Sequence, residues 1–139
     1  MRGLLYICFM RLPAILFIFI VLYSCQSDTR YSHATDAQDA GREFIRASLD
    51  GDMQKATFYL LRDSSNDYVF NMWRQQYQQL SAEEKRAYRE AQIRPVRIEP
   101  VNDSVVNYIY TNSYKQDDTT FIKIVRYGDY WQVDLKDIH

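Results

Sequence analysis

The apolar residues of this chain change their spacing once, near Ile93, and that change decides the fold class. Before it, apolar side chains recur every three or four residues, as on one face of an amphipathic helix. After it, they alternate along stretches rich in β-branched and aromatic residues, as in half-buried strands. Helices followed by successive strands predict an α+β domain, with the N-terminal helices packed on one face of a curved four-stranded antiparallel sheet.

Four helices are predicted before the change. The first begins at Thr35 or Asp36, either of which can cap it, and ends at Gly51 in the left-handed conformation. Asp52 offers an N-cap to a short second helix. The stripe that defines the first helix consists of small and apolar residues: Ala37, Ala40, Gly41, Phe44, Ile45, Ser48 and Leu49.

The third helix follows Asp63, and the fourth starts at Ser81-Ala82-Glu83-Glu84, a capping-box pattern, and ends near Gln92. Helical spacing predicts the buried face of the third helix from Val69, Met72, Trp73, Gln76 and Leu80.

Four strands are predicted after the change, and two prolines place the first of them at an edge of the sheet, with Val96 and Ile98 facing inward. Gly128-Asp129 reads as a tight hairpin turn before the last strand. On that strand Trp131 faces inward beside Val133 and Leu135 and is expected to anchor helix against sheet. The strands cover Ile93–Glu99, Val105–Tyr114, Phe121–Tyr127 and Tyr130–Leu135.

A short apolar run precedes the domain and predicts export. Leu12–Tyr23 has 12 residues, whereas a bilayer-spanning helix needs roughly 20. Extending the run back to Gly3 would place Arg11 inside the bilayer, which costs about 2.5–3.5 kcal/mol at a helix centre. A short apolar run behind a basic residue is typical of a signal peptide, which can start at Met1 or Met10.

Leu22-Tyr23-Ser24-Cys25 resembles a bacterial lipobox. The resemblance implies that residues 1–24 are a lipoprotein signal peptide and that Cys25 becomes a lipidated mature N-terminus. Plain secretion and an uncleaved anchor are the alternatives. Without the leader Cys25 is the single remaining cysteine, and lipidation would explain its unpaired thiol. We therefore expect a lipid-anchored protein of the cell envelope, on the outer membrane. The sequence does not decide between the periplasmic face and the cell-surface face of that membrane.

Residues 25–34 are polar and aperiodic and predict a lipidated tether, in which His33 is a solvated residue. The domain then covers residues 35–139. Its opening stretch, Ala40 to Leu60, and its closing stretch, Ile124 to Leu135, resemble small nuclear-transport-factor-2-like (cystatin-like) domains, and the whole resembles small lipoproteins of Bacteroidota that carry such domains. This resemblance implies a cone formed by a bent sheet around one long helix. It implies no activity, since such folds host isomerases, dehydratases and non-catalytic binding modules alike.

Little in the sequence indicates catalysis. The net charge is −1 and the basic residues are scattered, which does not favour nucleic acid as a partner. Gly-rich phosphate loops, CxxC and HExxH are absent, and two peripheral histidines cannot complete a catalytic set. We therefore predict no catalytic residue, no metal and no cofactor. Asp117 and Asp118 read as a solvated turn, with weak calcium binding as the alternative.

Tyrosine is the one unusual component, with 12 in the chain. Tyr108 and Tyr110 share a face of the second strand and are the candidate ligand-binding residues, because tyrosine joins an apolar ring to a polar hydroxyl. The alternative is core packing. Asp134 is the strand carboxylate that an isomerase-like site would need, but it lies on the face opposite Trp131.

Three functions remain open. The first is a non-catalytic lipoprotein that binds a small ligand or an envelope protein through its domain. The second is a small isomerase or hydro-lyase, which requires an acid inside a deep, enclosed cavity. The third is an interaction module that docks a larger envelope complex through the open sheet face.

Overall fold

The computed structural model describes residues 30–137, in which four helices are followed by four strands. The strands form one antiparallel sheet in chain order, β1-β2-β3-β4, that does not close on itself. The predicted α+β class is confirmed. The predicted signal peptide, Cys25 and His139 lie outside the described residues. The elements are α1 (Ala37–Asp50), α2 (Met53–Tyr59), α3 (Ser64–Gln79), α4 (Ala82–Glu90), β1 (Ile93–Asn102), β2 (Val105–Asn112), β3 (Thr120–Tyr127) and β4 (Tyr130–Asp134).

The helix ends follow the capping residues of the sequence. Asp36 caps α1 by accepting a hydrogen bond from the Asp39 N–H. Gly51 ends α1 with a φ of 77°, and its N–H reaches carbonyls of the last turn. In α4, Ser81 and Glu84 each accept the other's backbone N–H, which confirms the capping box.

The core lies between α1 and the sheet. All seven predicted stripe residues of α1 except Ser48 are buried, and α1 contacts all four strands. At Gly41 the backbone comes so close to the sheet that a Cβ there would lie 2.6 Å from Ile124 Cδ1. The largest fully buried side chains on either side of this contact include Phe44 and Tyr108. Gly41 thus sets the distance at which α1 crosses β2 and β3.

Two predicted inward faces are wrong. Val96 is 57% exposed, because the pairing of β1 with β2 shifts between Pro95 and Arg97 and the bulge turns Val96 outward. Edge placement of β1 is confirmed. In α3, Met72 is 42% exposed, and the buried positions are Asn66 and Phe70.

Trp131 is only half-buried, so it is not the main anchor between helix and sheet. It pairs with Arg126 one step from the hairpin turn, near the end of the sheet. Val133 and Leu135, the other two residues of its predicted face, are almost completely buried. The turn itself is as predicted, with Gly128 at a φ of 60°.

The first described residues lie against the domain. Tyr59 Oη donates a hydrogen bond of 2.8 Å to the Ser32 carbonyl. His33 is exposed, as predicted, but its ring stacks on Tyr130 with 3.5 Å between centroids. Ala34 packs against the core. The segment predicted as tether therefore contacts α2 and β4 from residue 30 onward.

Candidate functional site

An open cleft of about 410 Å³ lies beside the C-terminal half of α1, between α3 and the end of β2. Its apolar walls come from α1 and the start of α2, through Ile45, Leu49 and Met53. Its rim is the loop between β2 and β3. The aromatic lining residues come from α3, α4 and β2: Phe70, Trp73, Tyr77, Tyr88 and Tyr110.

The aromatic lining exists because the helical spacing of α3 puts Phe70, Trp73 and Tyr77 on one side of the helix. Phe70 and Trp73 both pack on Phe44 of α1, with centroid distances of 5.9 and 6.0 Å. Phe44 is fully buried beneath them. The sequence predicted Trp73 as core, whereas the structure shows it half-buried and lining the cleft.

The two candidate tyrosines have different surroundings. Tyr110 lines the cleft, and burial raises the pKa of its hydroxyl, which shares a hydrogen bond with Thr120. Tyr108 does not line the cleft and is 1% exposed beneath Gly41. Burial raises the pKa of Tyr108 as well, against the opposing charge of Arg42. Both hydroxyls are therefore neutral near pH 7. Tyr110 is also largely buried, with 7% of its surface exposed, but it is the one of the two that lines the cleft.

The rim of the cleft is shaped by Asn112, a buried residue at the end of β2. Its Oδ1 accepts hydrogen bonds from the backbone N–H groups of Tyr114 and Lys115, at 3.0 and 2.9 Å. Thr111 Oγ1 donates toward carbonyls of the same loop, the shortest contact being 2.7 Å to Lys115 O. These bonds fix the loop that carries the charged groups of the rim.

Lys115 is the cation of the rim. Its Nζ lies 5.5 Å from the centroid of the Tyr88 ring, a cation–π distance. The hydrogen bond between Lys115 and Tyr88 raises the pKa of the Lys115 ammonium, so this group stays charged at neutral pH. Tyr88 is held in turn by an edge contact with Tyr114 at 5.1 Å. No sequence motif predicts this arrangement, since its members come from α4 and a loop.

Among residues 30–137, Asp118 is the one acid that lines the cleft, and it is exposed on the loop. Its partner in the predicted turn, Asp117, does not line the cleft. Asp134 is also away from it, and its carboxylate lies 3.4 Å from Lys136 Nζ. The cleft thus presents an aromatic surface with one cation and one acid at its rim, which can hold a ligand by stacking and by hydrogen bonds.

Residues 30–137 contain no group of three His, Cys, Asp or Glu side chains that could hold a metal ion. Nor does this part of the chain include a helix of the length and apolarity needed to cross a bilayer. Comparisons of the chain with protein-family models, with curated proteins and with solved structures find no match.

Proposed function

We propose that this protein is a lipid-anchored envelope lipoprotein whose domain binds a small ligand in the cleft without catalysing a reaction. The anchor part of the proposal is supported by the leader and by the lipobox-like Leu22-Tyr23-Ser24-Cys25. The binding part is supported by one observation above all: five aromatic side chains from three elements line one open cleft, namely Phe70, Trp73, Tyr77, Tyr88 and Tyr110.

We also propose that the domain is of the nuclear-transport-factor-2-like type, with the sheet bent around α1. Three features support this assignment. The helices precede the strands, the step from α1 to α2 is Gly51-Asp52, and α1 contacts every strand. In this arrangement the cleft is the open mouth of the cone.

The lining defines the class of ligand. A volume of about 410 Å³ falls in the range of small-molecule sites, roughly 300–1,000 Å³. Trp73 and Tyr110 suit a flat or ring-containing apolar body, and Lys115 suits a polar or anionic group at one end of it. The ligand we propose is therefore a small amphipathic molecule with an aromatic or alicyclic body.

The alternative of an isomerase or hydro-lyase has less support. Such a reaction needs a carboxylate held inside a water-poor pocket, where its pKa can approach neutrality. Asp118 is the one acid that the described part of the chain contributes to the cleft lining, and it is exposed at the rim. The geometry therefore favours binding over proton transfer.

The proposal is tested by ligand capture. Full-length protein in an uncharged detergent is incubated with the small-molecule fraction of a cell-envelope extract, washed and denatured, and the released molecules are identified by mass spectrometry. The variants are Tyr110→Phe and Lys115→Gln. Tyr127→Phe is the matched control, since Tyr127 is 69% exposed and lies outside the cleft.

We expect a specific molecule that Tyr127→Phe captures like the wild type and that both cleft variants capture at least several-fold less. Thermal melts of the same samples separate binding from folding. Tyr108→Phe is a second control, because its hydroxyl lies outside the cleft and its loss should leave capture unchanged. Equal capture by wild type and both cleft variants would overturn the proposed site.

A further inference from the structure

A second groove, of about 550 Å³, runs along α2 and α3 and shares only Met53 and Tyr77 with the aromatic cleft. Of the described residues that line it, two are basic and none is acidic, in contrast to the mixed charge of the cleft. Its lining residues are Gly51, Met53, Gln54, Thr57, Arg74, Tyr77, Gln78 and Lys85.

The guanidinium of Arg74 is the most unusual group in this groove. Its Nε is buried and has no hydrogen-bond partner among the described residues. The guanidinium carbon lies 5.4 Å from the centroid of Phe70, and no carboxylate in residues 30–137 forms a salt bridge with it. A guanidinium has five N–H donors, so this one retains unused capacity to bind an anion.

Lys85 supplies a second positive charge to the same groove. Its Nζ donates one hydrogen bond of 3.2 Å to the Gln78 carbonyl and lies 5.6 Å from the Tyr77 ring centroid. An ammonium has three donors, and no salt bridge of Lys85 occurs within the described part of the chain.

Neutral donors complete the groove. Gln54 Oε1 accepts a 3.3 Å hydrogen bond from Arg30 NH1, so its amide carbonyl is engaged and its NH₂ group is left to donate. This bond also brings a third cation, Arg30, to the lip of the groove. The side-chain amide of Gln78 adds a further N–H₂ group.

We propose that this groove binds a phosphate-type oxyanion, with Arg74 and Lys85 as its charged ligands and Gln54 and Gln78 as neutral donors. Planar guanidinium groups and ammonium groups are the usual protein partners of phosphate. No acid is among the described residues that line the groove, so none of these residues would repel such a ligand.

Two sources can supply this group. One is a soluble phosphate. The other is the headgroup of a phospholipid, because Arg30 follows Cys25 by five residues, a span of at most about 18 Å. The lipid source rests on the proposed anchor at Cys25, whereas the binding chemistry of the groove does not.

The test uses full-length protein in an uncharged detergent, titrated calorimetrically with two probes. The first is inorganic phosphate, against sodium chloride at equal ionic strength. The second is dihexanoyl phosphatidic acid, against dihexanoylglycerol, which lacks the phosphate. The variants are Arg74→Gln and Lys85→Gln. Arg86→Gln is the matched control, because it removes an equal charge from an exposed residue adjacent to Lys85 that does not line the groove.

We expect saturable binding of at least one phosphate-bearing probe, weakened about tenfold or more by each groove variant and unchanged by Arg86→Gln. Binding of inorganic phosphate identifies a soluble ligand, and binding of phosphatidic acid alone identifies a lipid headgroup. Thermal midpoints verify that the variants are folded. If Arg74→Gln does not fold, the loss of binding in Lys85→Gln alone tests the proposal. Failure of both probes to bind, or equal loss in Arg86→Gln, would overturn the proposal. Neither result bears on capture in the aromatic cleft.

Discussion

Tyr108 and Tyr110 are two residues apart on one face of β2 and both are buried, yet only Tyr110, the less deeply buried of the two, lines the cleft. The alternation of β2 predicts their shared face but not their depth. Depth depends on where α1 crosses the sheet, and Gly41 sets that crossing directly above Tyr108. No local pattern in β2 carries this information, because the contact joins residues far apart in the chain.

Asn66 is the residue whose role the sequence did not predict. It is fully buried, its Oδ1 accepts a 2.7 Å hydrogen bond from the Leu135 N–H, and its Nδ2 donates to Asp63. A polar residue in the first turn of α3 is expected to be solvated, and only the fold shows that Asn66 joins α3 to the end of β4.

We expect Asn66→Ala to lower the free energy of unfolding by about 1–3 kcal/mol, because the buried N–H of Leu135 loses its partner. Denaturant melts of the full-length protein measure the loss. Asn71→Ala, an exposed change on the same helix, is the control and should cost much less. Equal losses in the two variants would show that the Asn66 bond contributes little.

The pH dependence of stability should depend in part on Asp63. The backbone N–H of Asn66 and the ammonium of Lys136 bond this carboxylate and lower its pKa. A lowered folded-state pKa adds stability above the unfolded value of about 3.9, and that stability is lost as the pH falls through the folded-state pKa.

We therefore expect stability to fall less steeply between pH 5 and pH 2 in Asp63→Asn than in the wild type, since asparagine can cap α3 but cannot titrate. Denaturant melts at a series of pH values check this expectation. Asp117→Asn, in an exposed turn, serves as control and should follow the wild-type curve. An unchanged slope in Asp63→Asn would contradict the assigned role.

At the scale of elements, the caps and turns were predicted well and the buried faces less well. Gly51 and the Ser81 capping box act within a few residues of the chain, so the local sequence is enough to predict these helix ends. The face of α3 was misassigned because it includes the polar Asn66, which an apolar pattern omits. The orientation of Val96 was misassigned because a bulge reverses the alternation of β1, and its prolines indicate an edge but not a register shift.

The two left-handed glycines give a matched pair of substitutions. Alanine at a left-handed position costs about 1–2 kcal/mol. At Gly128 a Cβ would meet nothing within 4 Å, so Gly128→Ala should cost only that amount. At Gly51 a Cβ would lie 2.5 Å from Tyr77 Oη, so overpacking adds about 1–3 kcal/mol in Gly51→Ala.

Thermal or denaturant melts of both variants measure the difference. A loss in Gly51→Ala that is no larger than the loss in Gly128→Ala would show that Tyr77 moves aside without cost. Such a movement should also alter both the cleft and the groove, because Tyr77 lines each of them.

At the scale of the whole molecule, location and ligand binding are separate questions. The cleft and the groove lie within residues 30–137, whereas the proposed anchor, Cys25, precedes them. The sequence predicted the class of the fold and indicated Tyr110 as a candidate ligand-binding residue. It could not predict the cleft itself, because α1, α3, α4 and the loop after β2 meet there only once the chain has folded.

We expect Cys25→Ser to stop processing of the precursor and to release the protein from the membrane, because serine offers no thiol for the diacylglyceryl transfer implied by the lipobox-like motif. Metabolic labelling with an alkyne fatty acid, followed by membrane fractionation, measures both effects. Cys8→Ser is the control within the leader and should be labelled like the wild type. Equal labelling of Cys25→Ser and wild type would end the lipoprotein proposal.

Both edges of the sheet are closed to strand addition, each by a different device. On β1, two prolines lack N–H donors and two register shifts interrupt the ladder. On β4, Leu60 forms a bridge with Val133, and the Leu61 N–H donates to the Val133 carbonyl at 2.9 Å. If Cys25 anchors the protein as proposed, many copies confined to one lipid surface would collide edge to edge far more often than in free solution. Blocked edges would let such copies crowd without joining into fibrils.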